Sequence, residues 1–236
     1  MQNRRVFFRD YGRIAYKKAW DTQMELFQQI VQLKLQNREL PAEGQTPTPN
    51  YLLFCEHNHV YTLGKTGMLE NLLLNNESLK DKGIEFFHIN RGGDITYHGP
   101  GQLTGYPIFD LDNFECDIIK FMRNMEEAII RVLAEFGLKG ERIEGLTGVW
   151  LDADNPKKAR KICAMGVHTS RWVTMHGFGL NISTDLDYFG YIIPCGIQDK
   201  SVTSMEKELG PVNTNEVKHL VREKFAEVFG FSWAEE

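Results

Sequence analysis

The chain is predicted to be an α/β protein in the α+β sense, with a mixed β-sheet flanked by helices. Three observations predict this. Segments with helical periodicity occur early, in the centre and at the end. Short β-rich runs dominate the stretch between them. The two kinds do not alternate regularly enough for a doubly wound parallel sheet. A length of 236 residues with 42% apolar and 25% charged side chains is ample for one sizeable core. The loop-like stretches 37–50 and 152–160 are too short to separate two units, so residues 1–236 read as a single domain.

Taken in order, residues 19–36 place Trp20, Met24, Phe27, Val31 and Leu35 at helical spacing. Residues 37–50 hold three prolines, too many for a helix or a central strand. Residues 51–56 and 84–90 are short β-rich runs. Residues 103–111 form another, but Gly105 and Pro107 interrupt it, which predicts a bend or an edge position. The clearest helix is 117–136, with Phe121, Met125, Ile129, Val132 and Phe136 on one face and Gly137 placed to end it. Strands are then expected at 148–151, 161–168 and 173–183. A final helix spans 216–229, with Asn213, Thr214 or Asn215 as its cap and Gly230 as its stop.

Several function classes are excluded early. The composition does not fit disorder, collagen or a disulfide scaffold. A net charge of −5 argues against a general nucleic-acid binder. The first 16 residues lack a signal-peptide core and no run is long enough to span a bilayer, so the expected compartment is the cytoplasm. Cys55, Cys116, Cys163 and Cys195 are scattered, without the Cys-x-x-Cys spacing of a zinc or redox site.

Four segments carry chemistry. Residues 90–103, NRGGDITYHGPGQL, surround Arg91, Tyr97, His98 and Gln102 with glycines, which suits either a ligand-lining loop or a pair of tight turns. They match neither the dinucleotide fingerprint nor the phosphate-binding loop. In residues 161–167, KICAMGV, strand alternation puts Lys161, Cys163 and Met165 on one face. Lys161 is either a solvated strand end or an ammonium lowered into a cleft, and Cys163 is either a buried hydrophobe or a nucleophile. In 174–181, TMHGFGLN, His176 and Gly177 suggest a bulge or a close approach, with a structural histidine the plainer reading. In 192–197, IIPCGI, Pro194 and Gly196 flank Cys195 in a turn context that would expose the thiol.

These segments, in this order, resemble the lipoyl(octanoyl) transferase family of the biotin/lipoate protein ligase-like fold. The matching residues are RGGDITYHGPGQL at 91–103, Lys161 and Ile162 with Gly166 and Val167, His176 and Gly177 with Leu180 and Asn181, and PCGI at 194–197. Glu56, His57 and VYTLG at 60–64 match a further family segment, with Asn58 and His59 where the family carries two prolines.

The resemblance implies an acyltransferase. It would move an octanoyl group from the thioester of octanoyl-acyl carrier protein to a lysine on lipoyl domains of oxo-acid dehydrogenase E2 subunits and of the glycine-cleavage H protein. It implies Cys195 as nucleophile and Lys161 as its partner. The acyl pocket would be lined by Arg91, Gly92, Gly93, Asp94, Ile95, Thr96, Tyr97, His98, Ala164, Met165, Gly166, Gly177, Phe178 and Gly179. No metal, nucleotide or other cofactor, no nucleic acid and no membrane is implied. A thioester donor is already activated, which removes the need for ATP.

Backbone amides near Cys195 or the Gly92–Gly93 turn are expected to stabilise the oxyanion. The run Lys157, Lys158, Arg160 and Lys161 is expected to help dock an acidic carrier. An ATP-dependent lipoate–protein ligase would need more chain than residues 198–236 offer for its accessory domain. An amidotransferase acting between protein lysines would carry its cysteine in another loop. A non-enzymatic binding module would not need the lysine–cysteine pair.

Overall fold

A computed structural model describes residues 2–193 and 201–235. In chain order the elements are β1 (Arg5–Arg13), α1 (Tyr16–Arg38), β2 (Asn50–Glu56), β3 (Val60–Leu63), α2 (Asn76–Asp81), β4 (Glu85–His88), β5 (Ile95–His98), β6 (Gln102–Ile108), α3 (Ile118–Glu135), β7 (Val149–Leu151), β8 (Arg160–Ser170), β9 (Val173–Asn181), β10 (Ser201–Val202), α4 (Met205–Leu209), α5 (Thr214–Phe229) and β11 (Ser232–Trp233). Among the described residues the strands form two sheets. The larger runs β10-β8-β9-β6-β2-β1-β11 with β7 beside β8, and the smaller runs β4-β3-β5. Parallel and antiparallel pairs occur in both, so the expected mixed sheet is present.

Strand alternation divides the large sheet between two cores. Leu52 and Phe54 of β2, with Phe178 and Leu180 of β9, pack against α3 and α5 on one face. Leu53 and Cys55, with Val173 and Met175, pack against α1 on the other. The helix ends follow local chemistry. Asp117 caps α3 by accepting from the Ile119 and Lys120 amides, and Asn213 caps α5 by accepting from Asn215 and Glu216. Gly230, in the left-handed region, ends α5.

One expectation is corrected. The segment around Gly105 and Pro107 lies between β9 and β2, not at an edge. Proline is tolerated there because the β6–β9 ladder stops at Gly105–Phe178. Beyond that point the Thr174 hydroxyl replaces it, donating to the Pro107 carbonyl at 2.8 Å and accepting from the Phe109 amide at 3.0 Å. The apolar face of α1 packs on one core as expected, with Phe27 and Val31 inside it and Trp20, Met24 and Leu35 against it, but polar residues share that face. Gln23 and Lys34 are buried, whereas Trp20, Met24 and Leu35 are only partly covered. Each buried polar group has a distant partner: Gln23 accepts from the His176 amide, and Lys34 pairs with Asp110.

Candidate active site

The Arg91–Thr96 segment, β8 and β9 line two neighbouring spaces that share part of their lining. The outer is a cleft of about 620 Å³ between the Arg91–Gly93 turn, residues 164–167, the loop Gly145–Thr147, Lys161 and Val202. The inner is a hollow of about 40 Å³ reaching Tyr16, His98, Tyr106 and His176. Arg91, Thr96, Ala164, Met165 and Gly166 line both. Ala164 lies opposite Gly179 and Gly166 opposite Gly177 across the β8–β9 ladder. Where β9 carries Val173 and Met175 against α1, its next positions on that face are Gly177 and Gly179, which line the hollow with main chain. The space is thus narrow, smooth-floored and largely apolar, suited to an unbranched acyl chain.

The glycine-rich turn is held by its own arginine. Arg91 is buried and donates to the carbonyls of Gly92 at 2.7 Å, Asp94 at 2.6 Å and Thr62 at 3.2 Å. Asn71 donates to the Asp94 carboxylate, and the Lys65 and Thr66 amides donate to the Arg91 and Gly93 carbonyls. The Gly92 amide donates to the Val167 carbonyl at 2.9 Å, tying the turn to β8. The Gly92 amide is therefore occupied, which removes one of the amides expected to serve as oxyanion donors.

Lys161 lies on the cleft wall. Its Nζ is 4.6 Å from the Trp150 ring centroid, and a Cβ on Gly148 would touch its Cε at 3.5 Å. On its other side β10 pairs Val202 with Lys161, and the Thr203 amide donates to the Lys161 carbonyl at 2.9 Å. Lys161 and Cys163 do not share a surface as strict alternation predicts. The β7–β8 register slips between Val149 and Trp150, inserting Ile162 as an extra residue on β8. Cys163 is fully buried in the main core. Burial pushes its thiol well above the ordinary range, against the opposing pull of Lys161. Such a thiol is inert, and the rival nucleophile loses its case. Cys195, with the rest of residues 194–197, lies outside the described residues.

His57, His98 and His176 are neutral fixtures. Burial pulls His98 and His176 down to about 3 and His57 to about 4. His98 Nδ1 donates to Gln102 Oε1 at 2.6 Å, since the Gln102 amide nitrogen already faces Asn181 Oδ1 and the Tyr97 carbonyl. His176 adopts φ +62° and meets Asn90 Oδ1 through Nε2 at 2.9 Å. The folded pKa values lie below the ordinary value near 6.5, so the unfolded chain binds more protons between the two. Stability should therefore fall as pH drops below about 6.5 and continue falling toward about 4. A urea midpoint unchanged between about pH 7.5 and about pH 5 would contradict neutral burial of these rings.

One expected pocket residue points elsewhere. Tyr97 packs in a satellite core with Tyr61 and Leu63, while Thr96 and His98, its neighbours on β5, face the cavity. The Tyr97 hydroxyl meets His59 Nδ1 at 2.7 Å, and the His59 ring stacks on Tyr188 at 4.1 Å. That stack fixes the loop in which Asn58 and His59 replace the proline pair. Ile95 touches the cleft but also belongs to this core. The remaining expected pocket residues, from Arg91 to Asp94 and from Ala164 to Gly166, with Gly177, Phe178 and Gly179, line one space or the other. Tyr16, Tyr106, Met122, Val202 and the Gly145–Thr147 loop were not anticipated, because they reach the site from elements distant in sequence. Of the basic run, Lys157 and Lys158 are exposed, but Arg160 is bound by Asp152 and Glu208 and offers little charge to a partner.

The family model described as "Lipoyl protein ligase A/B catalytic domain" matches residues 17–226. An octanoyltransferase of Cytophaga hutchinsonii is 59% identical over 207 residues, 88% of this chain and 85% of its own. One from Flavobacterium johnsoniae is 57% identical over 229 residues, 96% of this chain and 97% of its own. Among solved structures, the bipartite lipoate protein ligase of Thermoplasma acidophilum superposes with a TM-score of 0.69 at 19% identity, covering 100% of this chain and 87% of that one. A lipoate-protein ligase A bound with ATP gives 0.67 at 19% identity, covering 100% and 89%. At such identity the two structures bear on the fold alone.

Proposed function

The chain belongs to the lipoyl protein ligase A/B catalytic-domain family and is an octanoyltransferase of protein lipoylation, and on that premise we propose that Cys195 and Lys161 carry the reaction through an acyl-enzyme. The donor is octanoyl-acyl carrier protein. The acceptors are lipoyl domains, those of oxo-acid dehydrogenase E2 subunits and the glycine-cleavage H protein. The observation that carries this is Lys161 set on the wall of a smooth-floored cleft. Connectivity supports the pairing, since β10 follows Cys195 closely in sequence and runs beside Lys161.

The chemistry then follows in two steps. The Cys195 thiolate attacks the thioester carbonyl, and the carrier thiolate leaves with a proton from the Lys161 ammonium. Neutral Lys161 next takes a proton from the acceptor amine as that nitrogen attacks acyl-Cys195, and the Cys195 thiolate departs. Thioester and amine become amide and thiol, with no outside energy source. Depressing a thiol pKa by about 1.5 units needs about 2 kcal/mol, within the range of one partly buried charge pair.

Incubation with octanoyl-acyl carrier protein, without ATP, should add one octanoyl group to the intact protein mass. The adduct should vanish in Cys195→Ala and persist in Cys163→Ser. A requirement for ATP would contradict the direct transfer, and an adduct lost only in Cys163→Ser would move the nucleophile.

A further inference from the structure

Glu126, on α3, is a fully buried carboxylate outside the cleft. Its Oε2 accepts from Arg123 Nη1 at 2.6 Å and Arg142 Nε at 3.0 Å. Its Oε1 accepts from the Gly148 amide at 3.0 Å. Burying a carboxylate is costly unless charge and hydrogen bonds compensate it, and here both do. Why the fold keeps such a group is explained by what Gly148 touches.

Gly148 has φ +108°, a conformation that L side chains rarely adopt, and a Cβ there would meet the Cys163 carbonyl oxygen at 2.5 Å. No side chain can anchor this peptide by packing, so its position depends on its hydrogen bond. Gly148 also faces the lysine, since a Cβ there would lie 3.5 Å from Lys161 Cε, and it directly precedes the strand that carries Trp150, whose ring flanks Lys161 Nζ. Arg142, another partner of Glu126, sits in the same α3–β7 connection, which also supplies the Gly145–Thr147 wall of the cleft. One carboxylate thus ties two points of that connection to a rigid helix.

We propose that Glu126 is a positioning residue for Lys161: through the Gly148 amide it fixes the shelf on which the lysine side chain rests, and so sets where its ammonium enters the cleft. This rests on Lys161 being the proton carrier.

The test is a mutant cycle in the full-length protein, with octanoyl-acyl carrier protein and a lipoyl domain as substrates. Glu126→Ala should lower kcat by about 100-fold, the scale of a small misplacement, with both KM values within about twofold. Glu126→Gln keeps an oxygen for the Gly148 amide and should recover about tenfold of that loss. Neither substitution should lower kcat further in a Lys161→Ala background, because two residues acting through one group are not additive.

Equal fold-losses with and without Lys161 would overturn the inference while leaving the lysine's role intact. An unchanged kcat in Lys161→Ala would instead remove the catalytic assignment on which it rests. If the alanine protein does not fold, the Glu126→Gln cycle decides alone: its loss of about tenfold must disappear without Lys161.

Discussion

Lys161→Ala should lower octanoyl transfer by about three orders of magnitude, within the range of a lost general acid–base group. Both half-reactions should slow in single-turnover measurements, since the same amine protonates one leaving group and deprotonates the incoming nucleophile. The nearby imidazoles offer no substitute. His98 and His176 are held down to about 3 by burial and are neutral wherever the enzyme would work. The pH–rate profile of the native protein should accordingly lack an imidazole limb near pH 6.5. A loss below about tenfold in Lys161→Ala would return this residue to a solvated strand end.

Gly177→Ala is expected to be the most damaging single methyl. A Cβ there would overlap the Gly105 carbonyl oxygen and approach Pro107 Cδ to 2.6 Å. Both neighbours belong to the middle of the large sheet and cannot swing aside as a flexible side chain would. The expected cost is about 3 kcal/mol, or a fall in Tm of about 6–12 °C for a chain of this size. Gly44→Ala makes the control. It meets only ordinary contacts at 3.8 Å or more, on an exposed turn, and should shift Tm by less than about 2 °C. Equal shifts for the two would show that the sheet yields at Gly177.

The amount legible in the sequence differed from element to element, for physical reasons. Helix α3 was legible because Phe121, Met125, Ile129 and Val132 repeat on one face and all four are buried. Helix α1 was found with its apolar face, but Gln23 and Lys34, which are buried on it too, were missed because a search for apolar residues passes over them. Strand β1 escaped notice because its burial is uneven and its parallel partners, β2 and β11, lie far along the chain. At the candidate site, the motif residues mark the RGG turn and the Ala164–Gly179 floor well. Tyr97 was misplaced because a motif says nothing of alternation within β5. The burial of Cys163 was one of its two readings, but the face it was expected to share with Lys161 was misread, because a one-residue bulge at Ile162 cannot be seen without its partner strand. Tyr16, Glu126 and Gly148 carried no local signal, as each matters only through contacts made across the fold.

The paired small residues of β8 and β9 give the cavity proposed for the acyl chain little capacity for redesign from its floor. At Gly166, Gly177 and Gly179 that floor is bare main chain, with no side chain left to remove. A methyl added there finds no open space either: it meets the Gly92 carbonyl, the Gly105 carbonyl and the Gln102 side chain respectively. Any lineage or engineer seeking to lengthen the accepted chain must work on the side chains that line the hollow, such as Tyr16 and Tyr106, which still have atoms to lose.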